Sequence, residues 1–225
     1  MITSTNLYIA KSRLVSIRNE IDQLSLTGKT TITQPTGRFF YDPWIVKPEY
    51  QNTEIAKALS VLPMNVGEAR VVRLEPGSTY IRHADIDDRY HLNISGTSAY
   101  LINLETDTMY KTEADGVWYT MDAGPIHVAS NFGNAPRYQL VVRHLLKKNI
   151  IDNPIAVKIK PLITDVDEAR YIFDNSVSTW LNTTNKLGKL ADFDYVDYVV
   201  HLTCNRDTLQ ELLSIVPQQY FEVIY

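Results

Sequence analysis

The chain has 225 residues, enough for one large domain or for a core domain with a smaller companion. Its 26 acidic against 22 basic residues give a formal charge of −4, and no basic run marks a nucleic-acid surface. Cys204 is the only cysteine, which excludes an internal disulfide and fits a reducing cytoplasm; the first ten residues carry no signal-peptide pattern, and no apolar run has the length of a membrane span.

Residues 11–25 set Leu14, Ile17, Ile21 and Leu24 at helical spacing, which predicts an amphipathic helix lying on a core. Residues 37–48 are aromatic and punctuated by proline, and read as an extended cover over one end of a sheet. Thr53 to Leu62 reads as a short helix with Thr53 as N-cap. From about residue 68 the period changes to two. Strands are predicted at Ala69–Glu75, Tyr80–Ala84, Tyr90–Ser95, Ala99–Leu104, Thr108–Thr112, Val117–Met121, Ile126–Ser130 and Tyr138–His144, separated by turn-formers such as Pro76-Gly77 and Asp115-Gly116. So many short strands in so short a stretch predict a mainly β fold, a double-stranded β-helix (jelly roll, cupin-like) closed around a cavity and flanked by the N-terminal helices.

After Asn153-Pro154 the pattern changes again. Ile155–Ile163 reads as a strand, Asp165 to about Trp180 as a helix, Thr183–Gly188 as a loop, Tyr195–Leu202 as a strand, Arg206–Ile215 as a helix and Tyr220–Ile224 as a strand. This β-α-β-α-β order predicts a small α/β segment at 151–225, following a domain at 1–150 whose jelly-roll core covers about 68–146.

Three pieces of the β region carry chemistry. In His83-Ala84-Asp85 the two polar residues are two apart, so on a strand both face one side. His127 opens a later strand directly after the Gly124-Pro125 turn. Two imidazoles and a carboxylate are the facial ligand set of non-haem Fe(II), which leaves coordination positions open. The triplet alone arises often by chance, so its strength lies in its placement on successive strands. Without convergence, it is a surface His-Asp pair at a strand end. Arg137 follows His127 by ten residues and starts an apolar strand. An inward guanidinium there needs an anion, and a planar bidentate match to a carboxylate suits the far end of 2-oxoglutarate. Arg143 is the competing arginine. Arg89 and His91 share one strand face and are read as lining the same cavity, or as pairing with Asp87 or Asp88.

The stretch Arg70–Val142 resembles the aspartyl/asparaginyl β-hydroxylase-like family of Fe(II)/2-oxoglutarate-dependent oxygenases, which includes proline hydroxylases acting on the free amino acid. The matching residues are Leu74-Glu-Pro-Gly77, His83-Ala-Asp85, Arg89-Tyr-His-Leu-Asn-Ile94, Gly116-Val-Trp-Tyr119, His127-Val-Ala-Ser-Asn131 and Arg137-Tyr-Gln-Leu140. The resemblance implies that His83, Asp85 and His127 hold Fe(II). It implies that Arg137 takes the C5 carboxylate of 2-oxoglutarate, with Arg89 and His91 in the same pocket. Trp118 matches the family's aromatic before the distal histidine, or is a plain core tryptophan. Asp85 keeps the carboxylate that vertebrate-type aspartyl hydroxylases lack, which counts against halogenation. The implied reaction is hydroxylation of an unactivated C–H bond with dioxygen, releasing succinate and CO2.

The expected substrate is an amino acid, free or within a peptide, with Arg38, Tyr41, Trp44 and Arg82 as a candidate rim. Nucleic acid and membrane are not expected partners. The C-terminal segment is read either as a homodimer contact or as a cover for the active site. Two other functions compete. One is a cupin-like metalloenzyme that does not use 2-oxoglutarate, the other a non-enzymatic jelly-roll binding module.

Overall fold

The computed structural model describes residues 2–63, 65–196 and 198–225. The chain begins with β1 (Ile2–Tyr8), α1 (Lys11–Gln23), the short strands β2 (Lys29–Thr31), β3 (Thr33–Pro35) and β4 (Trp44–Val46), and α2 (Glu54–Leu59). Eight strands follow: β5 (Val66–Leu74), β6 (Ser78–Thr79), β7 (Arg89–Ser95), β8 (Ala99–Asn103), β9 (Thr108–Lys111), β10 (Val117–Met121), β11 (His127–Asn131) and β12 (Arg137–His144). They divide into one sheet ordered β1-β10-β7-β12-β5-β2 and another ordered β6-β11-β8-β9. All their pairings are antiparallel. That alternation of the eight strands between two sheets is the jelly roll, and the fold is mainly β.

The larger sheet is buried on both faces, and its sequence shows why. Along β7, Tyr90, Leu92 and Ile94 face one way, while Arg89, His91 and Asn93 face the other. Along β12, Tyr138, Leu140 and Val142 alternate in the same way with Arg137, Gln139 and Arg143, and the register sets Leu140 beside both Leu92 and Val71. The apolar face packs under Leu14, Ile17 and Ile21 of α1 and Ile55 and Ala58 of α2, in one core that also contains Trp118. Each such leucine or isoleucine contributes roughly 1.5–3 kcal/mol on burial. The polar face turns inward, toward the smaller sheet, and makes a charged interior.

The C-terminal part contains β13 (Ile155–Pro161), α3 (Val166–Ser176), α4 (Ser178–Lys186), β14 (Ala191–Val196), β15 (Val199–Cys204), α5 (Arg206–Ile215) and β16 (Phe221–Ile224). Its sheet order β14-β15-β13-β16, antiparallel throughout, gives the βαββαβ ferredoxin-like arrangement.

Several expectations are corrected here. Tyr195–Leu202 is not one strand but parts of the β14–β15 hairpin, with Tyr198 at φ +63°. Thr183–Gly188 is not all loop, because α4 runs to Lys186. Tyr80–Ala84 is not a regular strand either: β6 ends at Thr79, and the chain rejoins β11 only through an isolated bridge between His83 and His127. β1 escaped the sequence reading, since Thr3, Ser4, Thr5 and Asn6 give it no apolar alternation. Among the described residues, no helix is long and apolar enough to cross a membrane.

The segment after His83 belongs to both halves of the molecule. Asp85 N–H donates to Ala123 O of the jelly roll at 2.8 Å, while Ala84 N–H donates to Asp174 O of α3 at 3.1 Å. Asn182 of α4 donates to Asp85 O at 3.1 Å, and Ile86 is buried in the C-terminal core with Phe173 and Leu181.

Candidate metal centre and its cavity

His83 and His127 face each other across their bridge, His83 N–H to His127 O at 3.1 Å and His127 N–H to His83 O at 2.8 Å. This pairing brings their ring centroids to 4.5 Å. Each ring is held by the same local device. His83 Nδ1 lies 2.9 Å from Ile81 O, and His127 Nδ1 lies 2.9 Å from Pro125 O. A carbonyl only accepts, so each Nδ1 carries the proton and each Nε2 is left with its lone pair. Burial lowers the His127 pKa to about 4, against the opposing pull of Asp85, which keeps the ring neutral at physiological pH.

Asp85 completes the cluster, with one donor atom from each of the three residues lying within 4.8 Å of the others. Its Oδ1 accepts from Arg89 Nη2 at 3.1 Å, whereas Oδ2 stands 3.9 Å from His127 Nε2. That gap is within twice a metal–ligand bond of about 2.1 Å. Burial pushes the Asp85 carboxyl pKa up, but Arg89 and then His83 and His127 outweigh it, so it stays ionised well below the usual carboxylate range. Two imidazole nitrogens and one carboxylate oxygen fit a divalent first-row metal, and their mixed donors suit Fe(II).

Arg89 is itself held by the buried Asp87, whose other oxygen accepts from Arg143 Nε at 2.5 Å. Arg143 also approaches Glu68 at 3.9 Å and stacks on the Phe40 ring at 3.9 Å. A ladder of alternating charge thus runs from the candidate ligand Asp85 through the polar interior of the larger sheet.

The cluster opens on a cavity of about 250 Å³. From the jelly roll it is lined by Arg70, Tyr80, Arg89, His91, Gln139 and Arg143, with Lys29 at one side, and from the C-terminal part by Arg170, Asp174, Ser178, Tyr195 and Tyr198. His91 is 6% exposed, and neither of its ring nitrogens has a hydrogen-bond partner, nor does Gln139 Nε2. Burial first, then Arg137 and His127, depress the His91 pKa to about 3.

The structure places the expected residues unevenly. His83, Asp85 and His127 converge, and His91 reaches the cavity. Arg89 lines it too, but its guanidinium is already committed to Asp85 and Asp87. Arg137 does not line it. Its guanidinium lies between the two sheets, with Nη1 donating to Tyr100 O and Ser130 O and Nη2 to Thr112 Oγ1, each at 3.1 Å. It is a strut joining β12 to β8 and β11, not an exposed anion clamp. Trp118 sits in the helix-facing core. The candidate rim lies elsewhere: Arg38 pairs with Asp194 at 2.8 Å, Tyr41 with Asp192 at 3.0 Å, and Arg82 with Asn175 at 2.8 Å.

Trp44 instead lines a separate 670 Å³ cavity beyond Arg143 and Tyr195. Sequence reasoning missed Lys29, Arg70, Gln139, Arg170 and Asp174. Gln139 was within reach of strand alternation from Arg137. Arg170 and Asp174 arrive from α3 of the C-terminal part, and no local spacing announces them.

No family model matches this chain, and no curated protein matches it. Among solved structures it is similar to a cupin domain from Bordetella pertussis Tohama I, at 14% identity over 52% of this chain and 93% of that one, with a TM-score of 0.34. It is similar to a prolyl-4-hydroxylase from Pseudomonas putida at 12% identity, covering 64% of this chain and 86% of that one, with a TM-score of 0.41. A third is the viral collagen prolyl hydroxylase of Paramecium bursaria Chlorella virus-1, in its 2-oxoglutarate complex, at 10% identity over 64% of this chain and 96% of that one, TM-score 0.42. At TM-scores below 0.5 these likenesses carry no weight for the activity of this chain.

Proposed function

We propose that this protein is an Fe(II)- and 2-oxoglutarate-dependent dioxygenase that hydroxylates an unactivated C–H bond of an amino acid, free or within a peptide. The observation that carries the reading is the convergence of two Nε2 lone pairs and Asp85 Oδ2 at the mouth of a polar jelly-roll cavity, with both Nδ1 atoms tied to backbone carbonyls. Iron bound there supplies the oxidation, coupling dioxygen to decarboxylation of 2-oxoglutarate.

The chain's own residues do the rest. His83, His127 and Asp85 would hold the metal. Arg89 engages Asp85 Oδ1, so Oδ2 is the carboxylate oxygen that would be offered to it. His91 and Gln139 offer unpartnered polar atoms to cosubstrate oxygens. The family resemblance assigns the far carboxylate to Arg137, but that guanidinium is bound to Tyr100, Ser130 and Thr112. Lys29 is the better holder: it lines the cavity beside Arg70, lies over the Tyr80 ring at 4.8 Å, and makes no ion pair among the described residues. The same commitment of Arg137 favours the competing reading, a cupin-like metalloenzyme that does without 2-oxoglutarate.

One experiment decides between them. Anaerobic Fe(II) with 2-oxoglutarate is expected to give a visible charge-transfer band in the wild type and none in His83→Ala, and admitting air is expected to yield succinate. Lys29→Ala should raise the KM for 2-oxoglutarate about tenfold or more, the scale of a lost charged hydrogen bond. A metal-loaded wild type that gives neither band nor succinate ends the oxygenase reading.

A further inference from the structure

The cavity wall opposite the jelly roll comes from α3, α4 and β14, and the iron reading gives it no task. Its central group is Asp174. The side chain is 14% exposed, yet among the described residues its side-chain hydrogen bonds are the long ones to Arg170 Nε at 3.4 Å and Ser178 Oγ at 3.5 Å. Charge-assisted contacts normally close to about 2.7–2.9 Å, as Arg143 and Asp87 do at 2.5 Å in the same molecule. A carboxylate this buried calls for a closer cation than Arg170 provides. The position is fixed, because Asp174 O holds the backbone of Ala84, between the ligands His83 and Asp85.

The surroundings specify the missing cation. Tyr195 and Tyr198 line the same cavity, their rings 5.8 Å apart and inclined at 73°, so that they form two nearly perpendicular walls. Aromatic faces beside a carboxylate make a site for an ammonium group. Arg170 lies one helical turn before Asp174, with its side chain 34% exposed, and presents planar donors of the kind that match a carboxylate. Opposite charges one turn apart, held in a long mutual contact, match the two charges of a zwitterion.

We propose that this wall is the substrate site and that it takes a free α-amino acid. Asp174, with the Tyr195 and Tyr198 rings, receives the ammonium; Arg170 receives the carboxylate. The ligand's charges replace the long Arg170–Asp174 contact. A residue inside a peptide carries neither charge, so the site discriminates against peptides. A 250 Å³ cavity suits a small molecule. The inference takes its chemistry from the oxygenase reading, while the binding geometry stands apart from it.

Calorimetry on the full chain without iron tests it, with the free L-α-amino acids titrated one at a time beside their N-acetyl and amide derivatives. At least one free amino acid should bind, and blocking either end should weaken it about tenfold or more. Asp174→Asn should erase the preference for the free over the N-acetylated form, and Arg170→Gln the preference for the acid over the amide. Either preference surviving in its folded variant overturns the proposal. So does tighter binding of the blocked forms by the wild type, a comparison that holds even if a variant fails to fold. Iron and 2-oxoglutarate binding without any amino-acid binding sinks this inference and leaves the oxygenase; amino-acid binding without the iron band does the reverse.

Discussion

At the scale of single residues, the interior is governed by charges that hold one another. Asp87 is 1% exposed at its side chain and binds both Arg89 and Arg143. Replacing it by alanine leaves two buried guanidinium groups short of a partner, a loss of about 3–5 kcal/mol. Urea unfolding of Asp87→Ala should show that loss, and its iron affinity should fall as Arg89 ceases to fix Asp85. An unchanged denaturation midpoint would mean the ladder is ornamental. His91 gives a pH signature. Its folded pKa is about 3, against about 6.5 when unfolded. A depressed pKa contributes stability that is present above the unfolded value and lost as pH falls toward the folded one. The metal-free protein should therefore weaken between about pH 6.5 and 3, and His91→Leu should flatten that part of a stability–pH curve measured by chemical denaturation. The His83, Asp85 and His127 cluster was legible in the sequence because two of its members share a strand-like spacing and the third follows a turn. The destination of Arg137 was not, because Tyr100 O, Ser130 O and Thr112 Oγ1, all distant in sequence, take its two terminal nitrogens in place of an anion.

At the scale of elements, legibility followed periodicity. β10 and α5 lie where the sequence put them, since an alternating run and a helical stripe each fix their own bounds. The β14–β15 hairpin was hidden because Asp197 alone, with no Gly or Pro beside it, interrupts the otherwise apolar run from Tyr195 to Val200. The inner face of β7 was legible where Arg89 and His91 share one strand face, and the structure buries that face together with the apolar one. Caps were readable. Thr53 Oγ1 accepts from Ala56 N–H at 3.0 Å, as the N-cap position predicts. Thr53→Ala should cost about 1 kcal/mol, seen as a lower thermal midpoint with the iron site intact. No change in midpoint would show that packing on α1, and not the cap, holds α2.

At the scale of the whole molecule, the sequence announced a jelly roll and an α/β segment but not their joint ownership of the site. One side of the cavity wall, from Arg170 to Tyr198, lies beyond residue 155, and only the folded chain brings it opposite the candidate ligands. The segment 83–86 supplies two of the three candidate ligands, then places Ile86 in the C-terminal core. Ligand geometry and the seating of one half on the other are therefore a single equilibrium. Whatever binds the metal set must, by reciprocity, tighten the contact between the halves. The connection between β12 and β13 carries Lys147 and Lys148, both exposed, as a natural reporter. Metal loading should slow tryptic cutting there, and Ile86→Ala should remove the protection while leaving the donor atoms in place. Equal cutting rates with and without metal would show the two halves to be mechanically independent. If the rates differ, the connection turns iron status into resistance to proteolysis, so that an unloaded copy of the protein is also the more perishable one.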